Sequence, residues 1–263
     1  MKIYISAVLL LAVSATFSVS ALAGDRSGVT CANLPTFADL QTALASAVQT
    51  VTSGTNALGL PMWATLVDSS GRVCAVAKLG GTDPWPGSRV ISAQKANTAN
   101  SFSTENIALS TANLYSAVQP GGSLYGLQQS NPVNTLVAYR GAGTSFGTAN
   151  DPMVGLRIGG VNVFGGGLAL YNANKQAIGA IGVSGDSSCA DHFIAWNLRT
   201  ALVSKGSGTG VVANKVPGGV TSDGNITDDN IQYPATGVQP VGFQHASNCP
   251  GGFAVPAVGS LTN

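Results

Sequence analysis

Charge is scarce in this chain. Only 9% of its 263 residues are Asp, Glu, Lys or Arg, against roughly a quarter in ordinary soluble domains. The 12 cations and 11 anions nearly cancel, leaving +1. There is no basic run, basic helix or zinc-finger spacing, so composition argues against a nucleic-acid partner. No acidic tail is present either. Phosphate-loop chemistry lacks its G-x-x-x-x-G-K-[ST] sequence, and Gly165-Gly166-Gly167 is not a G-x-G-x-x-G before a helix. Cysteine pairs at C-x-x-C spacing are missing, which counts against a structural zinc site. Histidine occurs twice, as His192 and His245, so imidazole chemistry has two candidates. After the first residues no apolar run is long enough to span a bilayer.

What the chain has in quantity is glycine, 34 residues, and apolar side chains, 44%. That supply is enough for a sizeable core. Residues 1–23 read as a secretory signal: Lys2 at the start, an apolar run from Ile3 to Val13, and Ala21-Leu22-Ala23 before Gly24. Export to the periplasm or outside the cell is therefore expected. Four cysteines in the mature part, Cys31, Cys74, Cys189 and Cys249, then suggest disulfides. Three pairings are open. Cys31–Cys74 with Cys189–Cys249 is preferred, because each bridge would join a terminal segment to the core. Each would stabilise by about 4 kcal/mol on the chain-entropy model.

The periodicities predict helices over Pro35–Val51, capped by Thr36, and over Ser88–Ser101, with Ser88 as cap. Strands are expected at Met62–Val67 and Arg72–Leu79 around the turn Asp68-Ser69-Ser70-Gly71. Two more, Leu168–Tyr171 and Ala177–Val183, flank a turn at Asn172–Lys175. The period changes again from Cys189, where Phe193, Trp196, Leu198 and Leu202 suit a helix. Between these blocks, residues 103–151 read as an insertion beside the glycine triplet. It is expected to hold a short helix within Ile107–Val118 and a short strand at Leu136–Tyr139. Residues 206–263 form a Gly/Asn/Asp-rich tail without a core of its own. Its Asp223–Asp229 run fails the EF-hand pattern, having neither the glycine at the sixth position nor the closing glutamate.

Four blocks carry a family resemblance. They are Val67-Asp68 with Gly71; Gln94-Lys95-Ala96-Asn97-Thr98-Ala99; Gly166-Gly167-Leu168-Ala169-Leu170; and Gly179-Ala180-Ile181-Gly182-Val183-Ser184-Gly185 followed by Asp191 before Ile194-Ala195. In that order they resemble the GlcG/HbpS (haem-degrading, DUF336) family. Ala169 stands where the family has proline. The resemblance implies an α+β, profilin-like fold with a five-stranded antiparallel sheet flanked by helices. Residues 24–263 would form one such domain. The resemblance implies haem or another tetrapyrrole as ligand, with weak haem-degrading or redox activity. It leaves open a small organic acid as ligand, an enzyme of another class, and homo-oligomerisation.

A tetrapyrrole needs apolar walls, cations for its propionates and often an axial side chain. Trp85, Met153 and Phe164 are candidate walls. Arg89, Lys95 and Arg157 are candidate cations. Gly165, Gly166 and Gly167 would let a flat ligand approach the backbone, or would pack closely in a tight loop. Asp191, near a helix start, suits the macrodipole as well as a site. His192 is the leading candidate for an iron ligand and His245 the second. The Cys189–Cys249 bridge would confine both histidines to one region, with the tail folded over the helix at the pocket edge. A serine hydrolase would draw on Ser184 or Ser187 with His192 as base. Gly182-Val183-Ser184-Gly185 lacks the second glycine of G-x-S-x-G, and His192 falls within the adjacent helix.

Overall fold

In the computed structural model the described residues are 30–52, 57–79, 85–172, 174 and 176–204. In the tail they are 219–220, 226–227, 229–235, 237–239, 241–246 and 249. The expected signal sequence and most of the Asp223–Asp229 run lie outside them. Helix α1 (Phe37–Thr52) precedes a hairpin of β1 (Trp63–Asp68) and β2 (Val73–Lys78), then α2 (Ser88–Phe102). Two one-turn helices follow, α3 (Leu127–Ser130) and α4 (Thr135–Ala138). The second hairpin pairs β3 (Gly167–Tyr171) with β4 (Ala177–Ser184) and leads into α5 (Ser188–Ser204).

The sheet is antiparallel, ordered β2-β1-β4-β3. Alternation along β1 sends Ala64 and Leu66 to one core and Trp63 and Val67 to the other. The first core is closed by Leu40 and Leu44 of α1 and by Phe193, Trp196 and Leu198 of α5. The second is closed by Val90, Ala93, Ala96 and Ala99 of α2. The order is therefore a helix pair, the sheet, and a single helix, all of strand and helix types that the period of the sequence indicates.

The sheet has four strands among the described residues, not five. Irregular segments occupy both outer edges. Along β2, the Val73 N–H donates to the Leu156 carbonyl and the Gly155 N–H to the Val73 carbonyl. Along β3, the Thr111 N–H donates to the Gly167 carbonyl. Covered edges satisfy their backbone groups without a further strand.

The insertion also departs from expectation at two places. Ile107–Val118 forms 3-10 turns at Ala112–Leu114 and Ser116–Val118. Leu136–Tyr139 is not a strand, because the Asn134 carbonyl accepts the Val137 and Ala138 N–H groups and winds the segment into α4. Helix α1 starts as read. The Asp39 N–H donates to Thr36 Oγ1, and the Thr36 N–H donates to Asp39, a reciprocal capping arrangement. Helix α2 lacks the side-chain cap expected from Ser88; Gly87 is its N-cap. Both disulfides form in the preferred pairing, with Cα–Cα separations of 5.2 Å for Cys31–Cys74 and 5.8 Å for Cys189–Cys249.

Candidate functional site

Two glycines bring α2 onto the sheet. Gly167 and Gly182 are cross-strand partners. A Cβ on Gly182 would lie 1.9 Å from the Ser92 carbonyl oxygen, and one on Gly167 would lie 2.6 Å from that of Lys95. Without side chains there, α2 rests backbone to backbone on the sheet. This close approach carries Lys95 to the end of β4. Its ammonium donates to Asp191 Oδ2 at 2.7 Å and to the Val183 carbonyl at 3.0 Å. Asp191 sits in the first turn of α5 and also accepts the Asp186 N–H.

Both members of this pair are buried. Burial pushes the Asp191 carboxyl up to about 6, with Lys95 and the Asp186 amide pulling against it. The same loss of water lowers the Lys95 ammonium, against the attraction of Asp191. An ammonium has three N–H groups. Two are engaged by Asp191 and Val183.

Over this pair opens a cleft of about 310 Å³. Its lining is Trp85, Ser88, Ile91, Lys95, Phe164, Ser184, Asp186, Ser188 and Asp191. Trp85 and Phe164 remain about half exposed, at 49% and 50%. Thus Trp85, Lys95, Phe164 and Asp191, far apart in sequence, meet at one place. The glycine triplet packs behind them. Cβ atoms on Gly165 and Gly166 would lie 2.3 Å from the Ser188 and Val183 carbonyl oxygens. Close packing therefore occupies the triplet, and none of the three lines the cleft.

The other sequence candidates go elsewhere. Arg89 is buried and grips Asp151 with two nitrogens at 2.8 and 2.5 Å, and its third donates to the Ala138 carbonyl. Its guanidinium also stacks 3.6 Å from the Phe146 ring. Met153 is in the core beneath α2. Arg157 binds Ser70 in the β1–β2 turn, at the other end of the sheet. His192 is wholly buried between Phe193 and Trp196, and neither ring nitrogen has a hydrogen-bond partner among the described residues. Desolvation, followed by the charges of Arg199, His245 and Lys95, lowers it to about 3.

His245 does reach the site, from the tail. Its Nε2 lies 2.9 Å from Ser188 Oγ, which also accepts the Gly165 N–H at 2.7 Å. Sequence reading passed over Ser188, whose position at a helix start looked no different from its neighbours'. Cys189, His245 and Cys249 donor atoms lie within 4.8 Å of one another. The two sulfurs are joined to each other, which removes them as thiolate ligands. Among the described residues no helix is long and apolar enough to cross a membrane.

The molecule is thus an α+β protein on an antiparallel sheet, with a cleft floored by a buried ammonium–carboxylate pair. A family model described as haem degrading protein HbpS-like matches residues 36–198, and the chain belongs to this family. Among solved structures it is similar to the Klebsiella pneumoniae DUF336 protein ORFY, at 27% identity over 64% of this chain and 90% of that one, TM-score 0.43. It is similar to PduOC in a heme complex, at 26% identity over 64% and 94%, TM-score 0.43. It is also similar to a double mutant of Streptomyces reticuli HbpS, at 20% identity over 73% and 95%, TM-score 0.37. No curated protein matches the chain.

Proposed function

We propose that this chain binds haem or a related tetrapyrrole across the mouth of the cleft. One observation carries the reading: Trp85 and Phe164, two large aromatic side chains, stay half exposed on the lip of the cleft. Two aromatic faces on one lip offer a flat apolar partner a surface to stack on. Membership of a family described as haem degrading gives the reading its direction. The lining fits the ring of such a ligand and offers the remaining N–H of Lys95 to an acidic edge. Among the described residues its lining holds no His, Met, Tyr or Cys, so no axial side chain is assigned. The ligand-binding unit is read as one domain with an insertion at about 103–151 and a tail from about 206. Two disulfides support export.

Titrating haem into the protein should produce a shifted Soret band. Trp85→Ala and Phe164→Ala should each weaken binding about tenfold, the value of one aromatic contact. Absence of a Soret shift, or wild-type affinity in the double variant, would overturn the reading. The size of the cleft favours a second reading. A volume of 310 Å³ lies near the lower limit for ligand pockets and suits a small organic acid held by Lys95. Thermal stabilisation by a panel of small carboxylates, with no Soret change on adding haem, would select it.

A further inference from the structure

We propose that Ser188 and His245 form a nucleophile–base pair that hydrolyses small carboxylic esters in the cleft. The two groups are 57 residues apart in sequence and 2.9 Å apart in the fold. Ser188 lines the cleft and is half-buried, while His245 stands behind it, buried. With the proton of His245 on Nδ1, the serine hydroxyl donates to Nε2, as nucleophilic catalysis requires.

The surroundings hold that geometry. The His245 N–H donates to the Gln232 carbonyl, and Ser116 binds the carbonyl and N–H of the preceding Gln244. The rings of Tyr115 and Tyr233 lie 6.5 and 6.4 Å from the imidazole and flank it. These contacts hold the backbone that carries the base and flank its ring. The Gly165 N–H donates to Ser188 Oγ, which favours developing negative charge on that oxygen. Ser188 also opens α5, a helix of 17 residues. The first N–H groups of a helix have no acceptor within it and carry the positive end of its dipole. The Ala190 and Asp191 N–H groups are taken by Ser187, so an ester oxygen entering over Ser188 would meet the positive end of the dipole at Ser188 and Cys189.

The reaction balances without a cofactor. Ser188 Oγ attacks the ester carbonyl carbon and its proton passes to His245 Nε2. The carbonyl–alkoxy bond breaks, the alkoxide takes that proton, and an acyl-serine remains. Water then attacks the acyl carbon, giving a proton to Nε2. Collapse releases the carboxylic acid, and the proton returns to Ser188. Trp85, Ile91 and Phe164 make the wall apolar, so the acyl group it suits is short and uncharged.

The test begins with the unaltered, disulfide-bonded protein, free of haem. A fluorophosphonate should label it once per chain, and peptide mapping should place the label on Ser188. The protein should also turn over p-nitrophenyl acetate. Ser188→Ala should abolish the label, and His245→Ala should slow both labelling and turnover by about 100-fold or more. Near-UV circular dichroism verifies that each variant is folded. Wild-type protein that stays unlabelled at Ser188 overturns the proposal whatever the variants do, as does p-nitrophenyl acetate turnover unchanged in folded Ser188→Ala. The haem reading fails separately, through the Soret titration of the unaltered protein.

Discussion

His192 shows how burial decides the role of a residue. Its rarity makes it the leading iron candidate by sequence, yet it lies at 0% exposure with both ring nitrogens unpartnered among the described residues. An unsatisfied buried polar group costs about 1–3 kcal/mol, so a leucine of similar volume should be tolerated. Its folded value of about 3 lies below the ordinary imidazole value of 6.5. The folded protein therefore refuses a proton that the unfolded chain accepts. Stability from this group is complete above pH 6.5 and is lost as pH falls toward 3. Asp191 acts in the opposite sense: raised from 3.8 to about 6, it favours the folded state below pH 3.8 and loses that contribution as pH rises through 6. Because Asp191 is present in both proteins, its effect cancels when wild type and His192→Leu are compared. Between pH 7 and pH 4, wild type should lose about 3 kcal/mol more than the variant. Urea unfolding at the two pH values measures this. Equal losses would place the acid sensitivity in other groups.

Among the elements, α2 is the one whose placement creates the cleft. Its docking depends on Gly182, where an added Cβ would meet Ser92 oxygen at 1.9 Å and the Ala96 nitrogen at 2.5 Å. Both are backbone atoms of the helix, so no side-chain rotation relieves the clash. Gly182→Ala should cost about 3 kcal/mol in urea unfolding, at the upper end for overpacking. It should also weaken ligand binding, because Lys95 moves with the helix. Stability within about 0.5 kcal/mol of wild type would show that α2 shifts freely on the sheet. The same helix shows what local pattern conveys. The helical period expects Ile91, Ala96 and Ala99 to face inward; Ala96 and Ala99 do, Ile91 lines the cleft, and the depth of approach is set by glycines on strands more than 65 residues away.

For the molecule as a whole, six of the few charged side chains form three internal ties among the described residues. Arg89–Asp151 joins α2 to the insertion, Lys95–Asp191 joins α2 to α5, and Arg199–Asp229 joins α5 to the tail. Buried pairs of this kind specify arrangement more than they add stability. The disulfides act alongside them, with Cys31–Cys74 holding the N-terminal segment and Cys189–Cys249 the tail. Intact mass with and without reduction should show two bridges, and peptide mapping should recover Cys189 joined to Cys249. In Cys249→Ser, limited proteolysis should cut the tail earlier than in wild type while leaving a fragment containing 36–198. Four free thiols in the unreduced protein would contradict the first result, and unchanged cleavage the second.

The sequence alone determined the order of the main strands and helices, the capping of α1 by Thr36 and the family, because each rests on neighbours within a turn, a hairpin or a short motif. Its four cysteines also indicated disulfides, though parity left their pairing open. Long-range proximity decided the rest. Arg89 is a candidate cation by residue type, but Asp151 lies against it; the glycine triplet reads equally as a ligand wall or as close packing, and the packing of α5 on Gly165 and Gly166 decides for the second. The fifth strand was absent because irregular segments, with no periodic signature, took both sheet edges. The meeting of Ser188 with His245 depended on a tail folded back over α5. Local periodicity records which face of an element is apolar; it does not record which distant polar group will share the same buried space.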